Sequence, residues 1–318
     1  MTTELTNPVM TSGVPAADRS PLARFFELRG RRIVHGCGAL WYSVPGGFLM
    51  SLPYEGMLDP DPAELREMIC AAGARGARFA SLRWNGLPSG LYLLKRGPYS
   101  LETIHIKHRP RVRQGLKSLE IRPADKKELL EQGLDVNRST MARQGRFDPE
   151  FGHERSWRRL VEAAFACPEV SVPAAFAGKR LSAYMITCRE NGLLHILHQM
   201  SRGDDLNLYP NHALTYFVSL QAVEDQSLDA VCYGCVSLIS GEGLHEYKAR
   251  FGYGVEPHQS VIQLHPALNK IINNAGARSA VRLLRRLRPG MQTLETIETV
   301  LEAARISRRP CPGATQWQ

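Results

Sequence analysis

The chain has 318 residues, 43% of them hydrophobic and 22% charged, enough to bury one large core or two medium ones, which excludes chain-wide disorder and favours two domains. Lys and Arg number 40 against 31 Asp and Glu, leaving a formal charge of +9 that suits a polyanionic partner (RNA, a phosphorylated cofactor or an anionic membrane surface) without choosing among them. No apolar run of about 18 residues exists and the N-terminus lacks the basic and apolar regions of a secretory signal, so a cytoplasmic protein with no transmembrane segment is expected.

In chain order, residues 1–22 are polar, small and Pro-containing and read as a flexible leader. A first α/β unit, 23–115, opens with short strands in RRIVHGCGALWYSV and GFLMSLPY. A helix started by Asp61 and Pro62 follows (DPAELREMICAAGARG), then the strand ARFASLRW, the turn-rich NGLPSG and the strand candidate YSLETIHIKH. The basic segment RPRVRQGLKSLEIRP closes this unit. A second unit, 116–270, begins with ADKKELLEQGLDVNRSTMARQG and the helix ERSWRRLVEAAFAC. Next comes a hairpin turning at Ala177 to Lys179, with GLLHILHQMSR alongside. The helix LYPNHALTYFVSLQAVEDQ, capped by Asn211, leads to the strand DAVCYGCVS, a helix carrying Lys248, and the strand QSVIQLHP. A helix between strands implies a crossover, and so a mixed sheet with a parallel pair inside it. Residues 271–318 form a basic helical extension, two helical stretches parted by Pro289 and Gly290. This extension is either a solvated docking element or a contact for RNA or membrane.

Seven cysteines, an odd number scattered through strands and helices, fit reduced thiols rather than a disulfide framework. Cys232 and Cys235 form C-x-x-C and His195 and His198 form H-x-x-H. Both pairs fall in predicted strands, where residues three apart point to opposite faces, so no metal is expected on either. G-x-S-x-G, Walker-type and G-x-G-x-x-G loops ahead of helices are absent, which removes the best support for hydrolase, P-loop and Rossmann readings.

The stretch GCVSLISGEGLHEYKARFGYGVEP resembles the C-terminal signature of the Fem-type peptidyltransferases and their relatives in the GNAT acyltransferase superfamily. In that pattern a small turn with Ser leads into a helix carrying an aromatic residue, then Lys, and closing with Phe-Gly; Tyr247, Lys248, Phe251 and Gly252 match in order. SLPYEGMLDPDPAELREMICAAGARGARFASLR resembles the family's first-domain segment. Arg109, Arg113 and Lys117 reproduce the spacing of its basic segment, and MARQGRF and LYPNHALTYFVSLQA fit the second domain. The likeness covers roughly residues 30 to 265. It implies an α/β (α+β) protein of tandem GNAT-like domains, each a mixed, mostly antiparallel sheet flanked by helices, the first degenerate and the second holding the cleft.

The reaction implied is transfer of an aminoacyl group from aminoacyl-tRNA to an amine acceptor, or of an acyl group from acyl-CoA. No cofactor is held, and the acceptor is an amine-bearing small molecule, sugar, peptide or cell-envelope precursor. The long helical arm of cell-wall Fem enzymes and the spaced-glycine pyrophosphate loop of GNAT enzymes are both missing, which leaves the donor open. The competing class is a non-catalytic module that binds a polyanion.

An amine attacking an activated acyl carbon generates an oxyanion, and a fixed ammonium aimed at it stabilises it; Lys248 is the candidate, with Tyr247 and Phe251 beside it. The donor is already activated, so no covalent nucleophile is needed. The alternative for Lys248 is a snorkelling side chain on a helix flank. The helix start at Asn211 to Ala213 offers backbone N–H groups to a phosphate, with Tyr209 and Tyr216 placed to flank it. Arg109, Arg113 and Lys117 grip a phosphate-bearing substrate or form a solvated edge. Tyr184 and His195 face the cleft in this strand assignment, or belong to the core.

Overall fold

The computed structural model describes residues 20–238, 242–272, 274–288 and 291–307. Helix α1 (Pro21–Leu28) leads to strands β1 (Ile33–Gly36), β2 (Ala39–Val44) and β3 (Phe48–Leu52), then α2 (Pro62–Ala71), β4 (Gly76–Ser81) and β5 (Leu87–Lys95). Next come α3 (Arg109–Ser118), β6 (Glu120–Pro123), α4 (Lys126–Glu128), a π-helical turn (Leu129–Gly133), α5 (Leu134–Arg143), α6 (Pro149–Gly152) and α7 (Glu154–Ala166). Strands β7 (Val170–Ser171), β8 (Pro173–Ala177), β9 (Arg180–Glu190) and β10 (Leu193–Ser201) precede α8 (Pro210–Glu224), β11 (Ala230–Cys235), α9 (Glu242–Arg250) and β12 (Gly254–Leu264). Helices α10 (Pro266–Ile272), α11 (Ala275–Leu287) and α12 (Gln292–Ile306) end the described chain.

The protein is α+β. Its strands form one mixed sheet in the order β1-β2-β3-β4-β12-β5-β11-β10-β9-β8-β6, with β7 paired to β9. Strand pairs β3–β4 and β10–β11 are parallel and the others antiparallel. The two predicted units are therefore not separate sheets. Strand β12, late in the chain, lies between β4 and β5 of the early part and pairs with both.

Four apolar clusters hold helices to this sheet. One face carries α1 and α7, where Phe25, Phe26, Trp157 and Leu160 meet Phe176, Leu181 and Tyr184. The other face carries α3, α8 and α9, with Val112, Leu214, Val218 and Phe251 on Met185, Leu194 and Val231. Helix α2 covers the early strands through Leu65 and Ile69, and α12 covers β12 through Ala303 and Ala304.

Several elements differ from the sequence expectation. Ser20, Pro21 and Leu22, given to the leader, open α1. The Ser20 hydroxyl accepts from Ala23 N, Pro21 stands at the start where no N–H is missed, and Glu190 of β9 accepts from Ser20 Oγ and Leu22 N at 2.8 Å each. The rest of the leader, residues 1–19, lies outside the described residues. The strand sought in YSLETIHIKH is instead Leu87–Lys95. Gly90 read as turn punctuation, but a Cβ there would meet Glu256 O at 2.7 Å, so it is a glycine of close backbone approach inside a strand. In YSLETIHIKH, Ser100 N donates to Thr103 Oγ1, and that hydroxyl donates back to Ser100 O, diverting the backbone into a turn. The basic segment is mostly the helix α3, so residue 115 falls inside a helix.

Candidate active site

Strands β10 and β11 run together only from Leu193 to His195 and from Ala230 to Cys232. Beyond that they part, for local reasons. The register of β10 on β9 shifts between Ile196 and His198, and that of β11 on β5 shifts between Cys232 and Cys235, where Gly234 takes φ +73°. The parted strands leave a cavity of about 410 Å³, walled by Ile196 to Gln199 on one side and Tyr233 and Gly234 on the other.

Helix α9 drops Lys248 into this opening. Gly252, at φ +91°, ends the helix, with Phe251 N and Tyr253 N both donating to Lys248 O. Phe251 is fully buried and Tyr247 half-buried, which sets the helix phase, and Lys248 on their flank is 5% exposed. Its ammonium donates to Tyr233 O at 2.5 Å and lies 4.2 Å and 4.6 Å from the ring centres of Tyr92 and Tyr233. Burial pulls its pKa from 10.5 down to about 8, opposed by the nearby thiols of Cys232 and Cys235. The position is a groove of the sheet, not bulk solvent. Of the small turn with Ser that opens the resembled motif, Ser237 is among the described residues and Ser240 lies outside them.

A polar network lines the cavity. Tyr247 OH donates to Asn211 O at 3.0 Å and shares a hydrogen bond with Thr215. Gln199 Nε2 donates to Asn211 Oδ1 at 3.2 Å, and Tyr233 OH donates to Gln199 Oε1. Ser201 Oγ accepts from both Asn211 Nδ2 and Arg143. Arg143 and Arg146, at the end of α5 and just after it, stand with Lys248 as the lining cations, and among the described residues no carboxylate lines the cavity. His198 is kept neutral by burial and by Arg29. The site is thus built for negative charge.

Other expected residues fall elsewhere. Asn211 is not the cap of α8: Tyr209 holds that place at φ +55°, and Asn211 sits inside the first turn with its side chain on Ser201 and Gln199. Tyr216 does not flank the helix start; one position past Thr215, it is rotated off the Asn211–Thr215 face and stacks on Tyr99 at 5.7 Å. Tyr209 does lie at the helix start, under the Arg111 guanidinium at 5.8 Å. Tyr184 is fully buried on the α7 side, beside Trp157, with its hydroxyl on Asn137; it belongs to the core. Arg109 spends its guanidinium on the carbonyls of Glu102 and Ile104, while Arg113 and Lys117 are exposed on the face of α3 away from α8. None of the three lines the cavity.

His195 lines a second cavity of about 210 Å³ with Tyr42, Met50, Tyr54, Cys232 and Cys235. It is 1% exposed, its ring nitrogens have no hydrogen-bond partner among the described residues, the Glu55 carboxylate standing 3.6 Å from Nε2, and burial lowers its pKa to about 4. The bulges overturn the alternation argument for the cysteine pair, since Cys232 and Cys235 both line this cavity. Burial raises the Cys232 thiol to about 12. Among the described residues no group of three or more His, Cys, Asp or Glu is arranged to hold a metal ion.

Arg143, Arg146, Gln199, Ser201 and Thr215 escaped the sequence reading. The first two lie within MARQGRF, where two cations three apart, one at a helix end and one just after it, were a usable signal.

Among solved structures this fold recurs. FemX matches with a TM-score of 0.54 and 11% identity, over 79% of this chain and 93% of that one. The C-terminal domain of a putative lysylphosphatidylglycerol synthetase from Agrobacterium fabrum matches at 0.53 and 11%, over 81% and 91%. L-PGS from Bacillus licheniformis matches at 0.50 and 12%, over 92% and 95%. The chain therefore shares its fold with FemX and with the lysylphosphatidylglycerol synthetase domains. No family model and no curated protein matches it.

Proposed function

We propose that the chain is an acyltransferase that moves an aminoacyl group from aminoacyl-tRNA to an amine acceptor, forming an amide in the cavity between β10 and β11. The observation that carries this reading is a buried, cationic Lys248 held at the parting of two parallel strands. An ammonium fixed there by a carbonyl and two aromatic faces needs little reorganisation when negative charge builds on a carbonyl oxygen nearby. The rest of the cavity lining also fits: Arg143 and Arg146 suit a phosphate or carboxylate on the incoming molecule, and Tyr247 and Asn211 line the same space. The fold shared with FemX and L-PGS supports acyl transfer as the class. In this reading residues 23–115 and 116–270 are two GNAT-like units, the first without a cleft of its own, acting in the cytoplasm on a small-molecule, peptide or cell-envelope amine.

The test is incubation of the purified chain with labelled aminoacyl-tRNA or acyl-CoA pools in extract, followed by mass spectrometry of new amides. Amide from the tRNA pool supports the reading; amide from acyl-CoA alone moves the donor. Replacing Lys248 by Met should cut the rate by about 100-fold or more. Tight tRNA binding with no amide from either pool would make the chain a polyanion-binding module.

A further inference from the structure

Helix α11 carries an arrangement that the acyltransfer reading does not use. Leu283, Leu284 and Leu287 are 57%, 48% and 69% exposed. At helical spacing they fall within about 100° of one side of the helix. Ile271 before the helix and Met291 after it are exposed as well. The opposite side faces α12, where Arg282 meets Glu298 at 3.5 Å and Arg285 meets Glu298 and Glu295 at 2.6 and 3.6 Å. The arginines nearest the core-side helix are thus neutralised, and the leucines point outward. Arg286 borders the leucine stripe and Arg288 follows the helix end; among the described residues neither has an ion-pair partner.

We infer that α11 is a membrane-surface helix that lays Leu283, Leu284 and Leu287 into the boundary of an anionic lipid layer, with Arg286 and Arg288 on the lipid phosphates. Apolar burial and cation–phosphate attraction then act together, as shallow helix binding requires. Long Arg side chains reach the headgroup level while the leucines sit deeper. No described helix is long and apolar enough to cross a membrane, so α11 lies on the surface. RNA is the poorer partner: two of the helix's arginines are already held by carboxylates, and three exposed leucines contribute nothing to phosphate recognition. A second copy is poorer too, because two-fold pairing of the stripe brings the Arg286 and Arg288 rims together.

Co-sedimentation of the full chain with phosphatidylcholine vesicles, with and without phosphatidylglycerol, tests this. The wild-type chain should sediment with the anionic vesicles. Leu283→Asp with Leu287→Asp should lower the bound fraction by about tenfold or more, with far-UV circular dichroism and Tm unchanged because both sites are exposed. The milder Leu287→Gln should weaken binding in the same direction if the double variant is unstable. Arg286→Glu with Arg288→Glu should remove the preference for phosphatidylglycerol. The inference fails if wild-type chain does not sediment, or if the leucine variants bind vesicles as wild type does. It fails equally if those variants instead dissociate a dimer seen by light scattering, or leave binding of a model RNA as the sole association.

Discussion

Lys248 is a charge kept where charge is costly. Its fall from 10.5 to about 8 corresponds to roughly 3 kcal/mol of folding free energy given up while the ammonium is retained below pH 8. Between pH 8 and 10.5 the unfolded chain binds a proton that the folded chain has released, so this side chain makes stability rise with pH across that window. Replacing Lys248 by Met removes that linkage. The difference in unfolding free energy, wild type minus variant, should climb from pH 8 to 10.5 in urea titrations; a flat difference would mean that the lysine is hydrated. Activity should move the opposite way. With hydroxylamine as a weakly basic acceptor, neutral across the range, kcat/KM should fall as pH passes about 8 if the ammonium is the working form. A rise through the same pH would assign the neutral amine as a base instead. The order of aromatic, Lys and Phe-Gly singled this residue out in the sequence. Its partners were not legible, because Tyr233 O is offered to it by a bulge that no pattern of side chains announces.

Among the elements, those with strong periodicity or clear caps were legible: α2 behind Asp61, α7 with its apolar stripe, the β8–β9 hairpin at Gly178, and the parallel β10–β11 pair. The misses have different causes. Gly90 is set by Glu256, far away in the chain, whereas Gly234 bends the strand at a bulge and the Ser100–Thr103 turn is closed by local side-chain bonds; alternation rules assume an undisturbed ladder. Arg109, Arg113 and Lys117 do share a helix face, as their spacing required, but the helix turns its other side inward. That side holds Gly115, where a Cβ would stand 2.8 Å from Ala213 Cβ and 3.0 Å from Tyr209 O, at the start of α8. Gly115→Ala is therefore expected to lower stability by about 1–3 kcal/mol, outweighing the roughly 1 kcal/mol that Ala gains over Gly in a helix interior. Because the displaced helix start adjoins Asn211, the variant should also raise KM for the donor more than it lowers kcat. Urea unfolding and steady-state kinetics on one preparation check both; a stabilised variant would show that α3 is free to move away from α8.

For the molecule as a whole, the sheet order decides how it unfolds. Length and composition suggested two domains, but β12 is inserted between β4 and β5, with Gln259 to Leu264 on one neighbour and Gly254 to Ser260 on the other. Strand β5 in turn pairs with β11, and α1 is anchored on Glu190 of β9. A chain ending at residue 115 would leave β4 and β5 with a missing strand between them and α1 without its partner, exposing backbone groups that the sheet otherwise pairs. The expectation is one cooperative transition. Trp41 and Trp84 report on the early strands and Trp157 on α7. With Trp317→Phe in both backgrounds, urea midpoints from a Trp157→Phe chain and from a Trp41→Phe, Trp84→Phe chain should each match the circular-dichroism midpoint of the same variant. Fragment 23–115 made alone should show neither a cooperative transition nor slow amide exchange. Early-strand tryptophans that report a midpoint separate from that of the backbone signal, or a folded fragment, would show that the shared strand does not couple the two halves.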